Sequence, residues 1–366
     1  EDFITTGNAG MVYTHRDARM RALVDARVSR LMYWDNDQLN STDGLVRGSW
    51  KYQVTERAGA GLAASYRNDS RRDEDLDVTG VVRSGERDRA NVSGSVDYRF
   101  SEITAGEITV GYTSTQVDGI IQDEDYDTIE VDFGLTRNLS KVFKNTTGLF
   151  NVSYMRYSSE FDTTVPDPLF INTASRLYRE FDSDVFQVTA GFSRNITELY
   201  SVYVTAGGSY TDTTERRRIV RTGLVTGDNT LPDQDDDSFG GVLAAGVNYA
   251  GLYYDIRLGL SHGVRGGAGT NGTVERTALT LGVDRKVSEN FSLTLAASGY
   301  LNRNERETLS DLDQLTLNIQ PGFRYRITDT LNLSGAYRYT HVDDLDIDQT
   351  RERSLVYLEI RKEFDM

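Results

Sequence analysis

Hydrophobic and polar residues alternate with a period of two along most of this chain. In the segment 91–100, one set of alternate positions holds Val92, Val96, Tyr98 and Phe100, and the positions between them are mostly polar. The same alternation recurs in 128–136, 254–260, 291–297 and 356–364. Because successive side chains of a β-strand point to opposite faces, each segment is predicted to be a strand with one apolar and one polar face.

Read along the whole chain, this pattern predicts sixteen strands, near 19–33, 44–53, 58–68, 88–100, 105–116, 126–139, 145–160, 181–195, 200–212, 238–249, 251–265, 272–286, 291–303, 312–325, 331–342 and 352–364. Each is long enough to cross a bilayer at a tilt of about 45°. Short turns alternate with longer, charged loops, which is typical of outer-membrane barrels. The sequence therefore predicts an all-β fold in which residues 19–366 form a transmembrane antiparallel up-and-down β-barrel.

Residues 1–18 complicate the strand count. Met11–His15 has the pattern of a further strand that turns back through Arg16–Arg19. An antiparallel barrel with both ends in the periplasm needs an even number of strands. The segment is therefore an N-terminal tail, a plug element or an extra strand, and the count is sixteen or, with two further strands, eighteen.

The polar face is predicted to line the lumen, because an Arg or Lys facing hydrocarbon costs roughly 2–4 kcal/mol at the bilayer midplane. Neighbouring strands are expected to pair these charges, for example Asp97 with adjacent arginines. By the same parity, Tyr300 and Tyr357 point inward, whereas most aromatic residues belong to girdles at the lipid interfaces. The predicted lumen-lining residues are Asp25, Arg27, Asp97, Arg99, Glu130, Asp132, Asp255, Arg257, Asp284, Arg324, Arg326, Arg338, Glu359 and Arg361.

Charge and composition exclude several classes of function. The chain carries 40 Lys and Arg against 56 Asp and Glu, a formal charge of −16, which disfavours a nucleic-acid partner. Without cysteine it has no disulfide, thiolate metal ligand or thioether-linked haem, and no cofactor is expected. Asp235, Asp236 and Asp237 are weak candidates for calcium ligands, since no calcium-loop spacing surrounds them.

Catalytic chemistry has few candidate residues. The imidazole bases are limited to His15, His262 and His341. Acidic residues follow His341 and serines lie near His262, a faint similarity to barrel proteases and barrel lipases respectively. Neither spacing defines a catalytic site, so the chain is predicted not to be an enzyme.

A repeated unit of alternating strand, short Ser/Thr-acidic turn and alternating strand is found in Arg30–Asp35, in Glu86–Glu102 with its turn at Ser101-Glu102, and in Arg137–Tyr157. It resembles a family of outer-membrane β-barrels found with exopolysaccharide-export systems. The resemblance implies that a polymer passes outward through the lumen and that a periplasmic partner feeds it. Two features depart from that family: the sequence shows no periplasmic partner domain, and its terminal aromatic, Phe364, is followed by Asp365 and Met366.

Three functions fit these features, all in the outer membrane of a Gram-negative bacterium in contact with its lipids and lipopolysaccharide. The first is a non-enzymatic conduit that exports a polysaccharide or similar polymer, with a periplasmic export component or a lipoprotein as partner. The second is a general diffusion porin, in which Phe161–Arg179 or Thr213–Asp237 folds inward as a constricting loop. The third is a structural sleeve around a partner such as a multihaem cytochrome or a lipoprotein.

Overall fold

The structure is a computed structural model that describes residues 4–35, 40–70, 85–119, 123–166, 174–222, 227–266, 273–303, 313–345 and 349–362. All strand pairings among these residues are antiparallel. In these ranges no helix is long and apolar enough to cross a membrane.

The described strands follow one another in a single sheet. Their bounds are β1 Ile4–Arg16, β2 Met20–Tyr33, β3 Ser41–Gln53, β4 Ala58–Asp69, β5 Gly85–Ser101, β6 Thr104–Gly119, β7 Asp123–Asn138, β8 Thr146–Pro166, β9 Ala174–Asn195, β10 Tyr200–Thr222, β11 Gly227–Thr230, β12 Gln234–Ala250, β13 Tyr254–Gly266, β14 Thr273–Lys286, β15 Phe291–Arg303, β16 Asp313–Arg326, β17 Leu331–Asp344 and β18 Gln349–Lys362.

Each of the sixteen strands predicted from the alternation has its counterpart, in β2 to β10 and β12 to β18. The segment 1–18 contributes β1, which pairs with β2 along its whole length from Ile4 to Arg16. The short β11 pairs with the C-terminal end of β10, and β12 pairs with the preceding part of the same strand. The described residues thus hold seventeen long strands, a number that differs from both the sixteen and the eighteen expected.

The order of pairing is up-and-down, each long strand beside its neighbours in sequence, and β1 and β18 stand at its two ends. Because the number of long strands is odd, these two run in the same direction, and the described residues contain no pairing between them. Outer side chains of β18 are widely exposed, with Val356 at 80%.

Two long loops expected from the sequence are largely strand. Of Phe161–Arg179, the residues up to Pro166 extend β8 and those from Ala174 extend β9. Of Thr213–Asp237, the residues up to Thr222 extend β10. The three strands reach 21 to 23 residues because the ladder continues on charged and hydroxyl-bearing residues beyond the apolar band. Neither segment, as far as it is described, is an inward-folded loop.

The short turns are closed by a side chain at their first position. Asp17 accepts hydrogen bonds from the backbone N–H groups of Arg19 and Met20 at 2.7 and 2.6 Å, which lowers the pKa of Asp17. Hydroxyl oxygens do the same at 3.0–3.2 Å at four other turns, from Thr55, Thr197, Ser288 and Thr328. This capping explains the recurrent Ser/Thr-acidic turn sequence.

The outer face is apolar and ends in tyrosine–carboxylate pairs on the side of the long connections. Tyr112, for example, stands opposite Ile129 and donates its hydroxyl to Asp127, two residues further up the neighbouring strand, at 3.0 Å. The same diagonal pairing is made by Tyr66 with Asp88, Tyr154 with Asp184 and Tyr339 with Glu352. Tyrosine suits a membrane interface because its ring is apolar and its hydroxyl polar. These pairs therefore mark the upper edge of the apolar band.

Candidate functional site

The candidate site is the inner face, the sheet surface opposite the apolar one. Following the directly opposed residues from strand to strand places all fourteen predicted lumen residues on this face. The same registers place Tyr300 and Tyr357 there. Tyr157 also lies on the inner face, not in a girdle at the lipid interface, and is fully buried.

Charges of opposite sign are paired across neighbouring strands of the inner face. Asp25 is buried and accepts from Arg27 Nε at 2.9 Å and Arg27 Nη2 at 2.8 Å, and from Arg47 Nε at 2.9 Å. Asp69 takes the same role on β4, with Arg87 Nη2 at 2.7 Å. The inner face is therefore a lattice of mixed charge, without one dominant sign.

Asp97 departs from the expected pairing. The residue directly across from it on β6 is Glu107, another carboxylate, and its other neighbour in that row is Gly59. A Cβ on Gly59 would lie 2.5 Å from Asp97 Oδ1, so the carboxylate leans over the glycine instead of meeting an arginine. The sequence pattern gives the face of Asp97 but not its partner, because the partner depends on register.

The inner face differs between its two ends. Towards the short turns, Arg257 is 62% exposed, and it is held by Asp255 Oδ1 at 3.0 Å from Nε and by Asp284 Oδ2 at 2.7 Å from Nη2. Towards the long connections, several polar inner side chains are buried. That buried set includes Thr115, Ser159, Ser183, Thr213, Asn302 and Thr316. The polar surface is thus open to solvent around Arg257 and covered around these residues.

Part of that covering comes from the tip of the β13–β14 hairpin. The pairing of β13 with β12 stops where Leu243 faces His262, although both strands continue beyond these residues. Beyond that point Gln187 Nε2, on β9, donates to the carbonyl of Val264 at 3.4 Å. In the plane of the sheet, β9 and β13 are three strand spacings apart, about 14 Å, which a glutamine side chain cannot span. The tip therefore lies over the inner surface of β10 and β12.

Two further observations agree with this position of the tip. A Cβ on Gly240, on the inner face of β12, would lie 3.8 Å from Val264 Cγ2 and 3.9 Å from Glu275 Oε1. Arg265 interacts electrostatically with Glu130 on β7, five strands away along the sheet. We call residues 263–266 and 273–276 the inward tip.

The inward tip also accounts for two polar residues at positions that strand parity assigns to lipid. His262 contacts Thr277 Oγ1 through Nδ1 at 2.9 Å and Glu275 Oε1 through Nε2 at 3.0 Å. His262 and Glu275 would be costly against hydrocarbon. Because the inward tip bends out of the plane of the sheet, both residues face protein instead of lipid. The serines near His262 take no part in these contacts, and His341 contacts Glu352 at 3.3 Å rather than the aspartates that follow it.

The three candidate calcium ligands do not converge. Asp235, Asp236 and Asp237 lie within β12, so Asp235 and Asp237 point to the outer face and Asp236 to the inner one. Asp235 accepts from the Thr214 hydroxyl at 2.9 Å. The described residues contain no group of three metal-ligating side chains. On the same outer side, Arg216 Nη1 pairs with Glu180 at 3.0 Å and Asp182 at 2.9 Å on β9.

Several residues of the site were absent from the sequence prediction. Arg47, Arg87 and Glu215 share the parity of residues that were named, so the alternation could have included them. Tyr203 could have been assigned inward by the alternation with Val202 and Val204, but its surroundings depend on the register with β12 and β13.

Comparison with solved structures shows the fold. The ferric-catecholate import receptor of E. coli, in its open form, matches with a TM-score of 0.61 at 10% identity, over 100% of this chain and 74% of that one. The ferric yersiniabactin uptake receptor of Yersinia pestis gives 0.51 at 9%, over 93% and 61%. The ferric preacinetobactin receptor of Acinetobacter baumannii gives 0.52 at 10%, over 98% and 71%.

The chain thus spans 61%, 74% and 71% of the lengths of these receptors. At this identity the likeness shows an outer-membrane β-barrel fold. A family model described as a protein of unknown function, DUF1302, matches residues 12–323. No curated protein matches the sequence.

Proposed function

We propose that this chain, which belongs to the DUF1302 family of proteins of unknown function, is a non-enzymatic conduit for a polysaccharide or similar polymer in the outer membrane of a Gram-negative bacterium. The observation that carries the proposal is the polar inner face behind an apolar outer face, open to solvent around Arg257 at the short-turn end. Ionised groups so exposed on the inside of a membrane wall need water beside them.

The charge pattern supports a neutral, hydrogen-bonding cargo. Carboxylates and guanidinium groups are paired on the inner face, as at Asp25 and Asp69, so no single sign attracts one kind of ion. The polymer enters from the short-turn, periplasmic end, where a periplasmic component or lipoprotein delivers it. The tyrosine–carboxylate pairs meet the lipopolysaccharide headgroups at the other end.

The inward tip provides a test, because a polymer needs more room than an ion. A disulfide between Gly240→Cys and Val264→Cys would tether the tip to β12, because a Cβ at position 240 would lie 3.8 Å from Val264 Cγ2 and the chain has no other cysteine. We expect vesicles containing the oxidised variant to retain a trapped neutral dextran, and reduction to release it. Ser209→Cys with Gly240→Cys, a tether within the wall, is the control and should leave dextran efflux unchanged.

A general diffusion porin is the second candidate, favoured by the inward position of the tip itself. In a porin the constriction is static, so small solutes pass and dextran is retained whether the tether is oxidised or reduced. Retention of dextran by the wild-type protein and by both tethered variants, together with passage of a monosaccharide, would reject the polymer conduit in favour of the porin.

A further inference from the structure

An aromatic ring lies against the open half of the inner face. Tyr203 on β10 stands directly opposite Gly246 on β12, and Gly246 stands directly opposite Gly259 on β13. A Cβ on Gly246 would lie 2.4 Å from Tyr203 Cε1 and 2.7 Å from Cζ, and one on Gly259 would lie 3.8 Å from the hydroxyl. The ring therefore reaches across β12 towards β13, over two glycines that leave room for it.

This position leaves the other side of the ring facing the lumen. Tyr203 is half-buried, and inner side chains in the rows above it are small, including Ala244 and Ser261. Such a ring presents a flat apolar surface of the kind on which the C–H face of a sugar stacks, in the way that bases stack on aromatic side chains.

Hydrogen-bonding groups occupy the next row towards the short turns. Asn248 stands opposite Ser201 on one side and opposite Arg257 on the other. The guanidinium of Arg257 is fixed by Asp255 and Asp284, so its orientation is set before any ligand arrives. One cation between two carboxylates leaves this cluster with a net negative charge, which disfavours anionic sugars such as uronates.

We propose that Tyr203 and the neighbouring Asn248 and Arg257 form a binding site for a neutral hexose unit of a polymer, near the short-turn end of the lumen. The inference deepens the proposed function and rests on it. The ring provides stacking, and the amide and guanidinium groups provide hydrogen bonds to sugar hydroxyls.

The test is calorimetric titration of the full chain in a sugar-free detergent with maltohexaose, and separately with hexagalacturonate. We expect maltohexaose to bind the more tightly, and Tyr203→Ala to weaken it about tenfold, a typical effect of losing one stacking ring. Tyr203→Phe should bind within about twofold of wild type, because it keeps the ring. Gly246→Ala should weaken binding like Tyr203→Ala, since its methyl group displaces the ring.

Phe323→Ala is the matched control for folding. Phe323 lies over Gly335 on the outer face, where a Cβ would come within 2.5 Å of the ring, so its loss removes a similar packing contact away from the lumen. It should leave maltohexaose binding unchanged. No binding by wild type, or equal binding by Tyr203→Ala, overturns the site, and tighter binding of hexagalacturonate overturns the neutral cargo.

These outcomes are separable from failure of the conduit itself. Binding in detergent needs no pore, and a pore can conduct without retaining sugar. A channel that conducts but does not bind maltohexaose removes the hexose site alone. Binding by a protein that forms no channel removes the conduit alone.

Discussion

Two adjacent residues of β6 test which face of the sheet meets lipid. Val110 lies on the outer face between Gly94 and Val131, and Thr109 lies on the inner face opposite Asp132. Replacing each with arginine adds the same charge at the same depth, on opposite sides of the wall. We expect Val110→Arg to destabilise the protein strongly and Thr109→Arg to be tolerated.

The magnitude follows from the surroundings of the new charge. An arginine on the lipid face near the midplane costs roughly 2–4 kcal/mol, which is about a thirty- to nine-hundred-fold change in the folding equilibrium. At position 109 the guanidinium would face the carboxylate of Asp132, directly across the ladder. An exposed pair of this kind contributes about 0–1 kcal/mol, so the net change there should be within about 1 kcal/mol.

The assay is reversible urea unfolding from lipid vesicles, followed by tryptophan fluorescence, with wild type and both variants in the same lipid. Midpoints that shift for Val110→Arg and not for Thr109→Arg support the orientation. Equal losses at the two positions, or a larger loss for Thr109→Arg, would refute the assignment of the polar face to the lumen.

Two further changes test packing in the wall. A methyl group on Gly207 would lie 1.8 Å from the carbonyl oxygen of Val188, so Gly207→Ala should lower the unfolding free energy in urea by about 3 kcal/mol. Gly241→Ala is the control and should cost little, because nothing lies within 4 Å of a methyl group there. Equal effects of the two variants would contradict the close approach of β9 and β10. Tyr154→Phe removes the 2.5 Å hydrogen bond to Asp184 and should lower the unfolding free energy by about 1 kcal/mol, and an unchanged midpoint would mean that the pair adds no stability.

The strands were predictable because each has one apolar and one polar face, so the alternation is strong in β2 to β10 and in β12 to β18. The same parity gave the face of charges such as Asp25 and Arg257. Partners depend on register, which alternation does not encode, and this explains why Glu107 opposite Asp97 and Gly246 under Tyr203 were not foreseen.

The inward tip shows where the parity rule fails for a physical reason. The alternation in β13 and β14 assigns His262 and Glu275 to lipid, a position that their polarity forbids. The conflict was visible in the sequence, but its resolution was not, because the contacts of the tip are with β9 and β12, distant in the chain. The apolar alternation of β1 is weaker, so the sequence left residues 1–18 open between tail, plug element and strand. The pairing with β2 identifies 4–16 as a strand.

Single-channel recording in planar lipid bilayers shows whether the polar inner face encloses a water-filled passage. The wild-type chain should insert in discrete steps of uniform, ohmic conductance. Because oppositely charged groups are paired around Arg257 and Asp25, the channel should discriminate only weakly between potassium and chloride. If protein that is folded in the bilayer passes no current under either polarity, the inner face does not enclose an open passage.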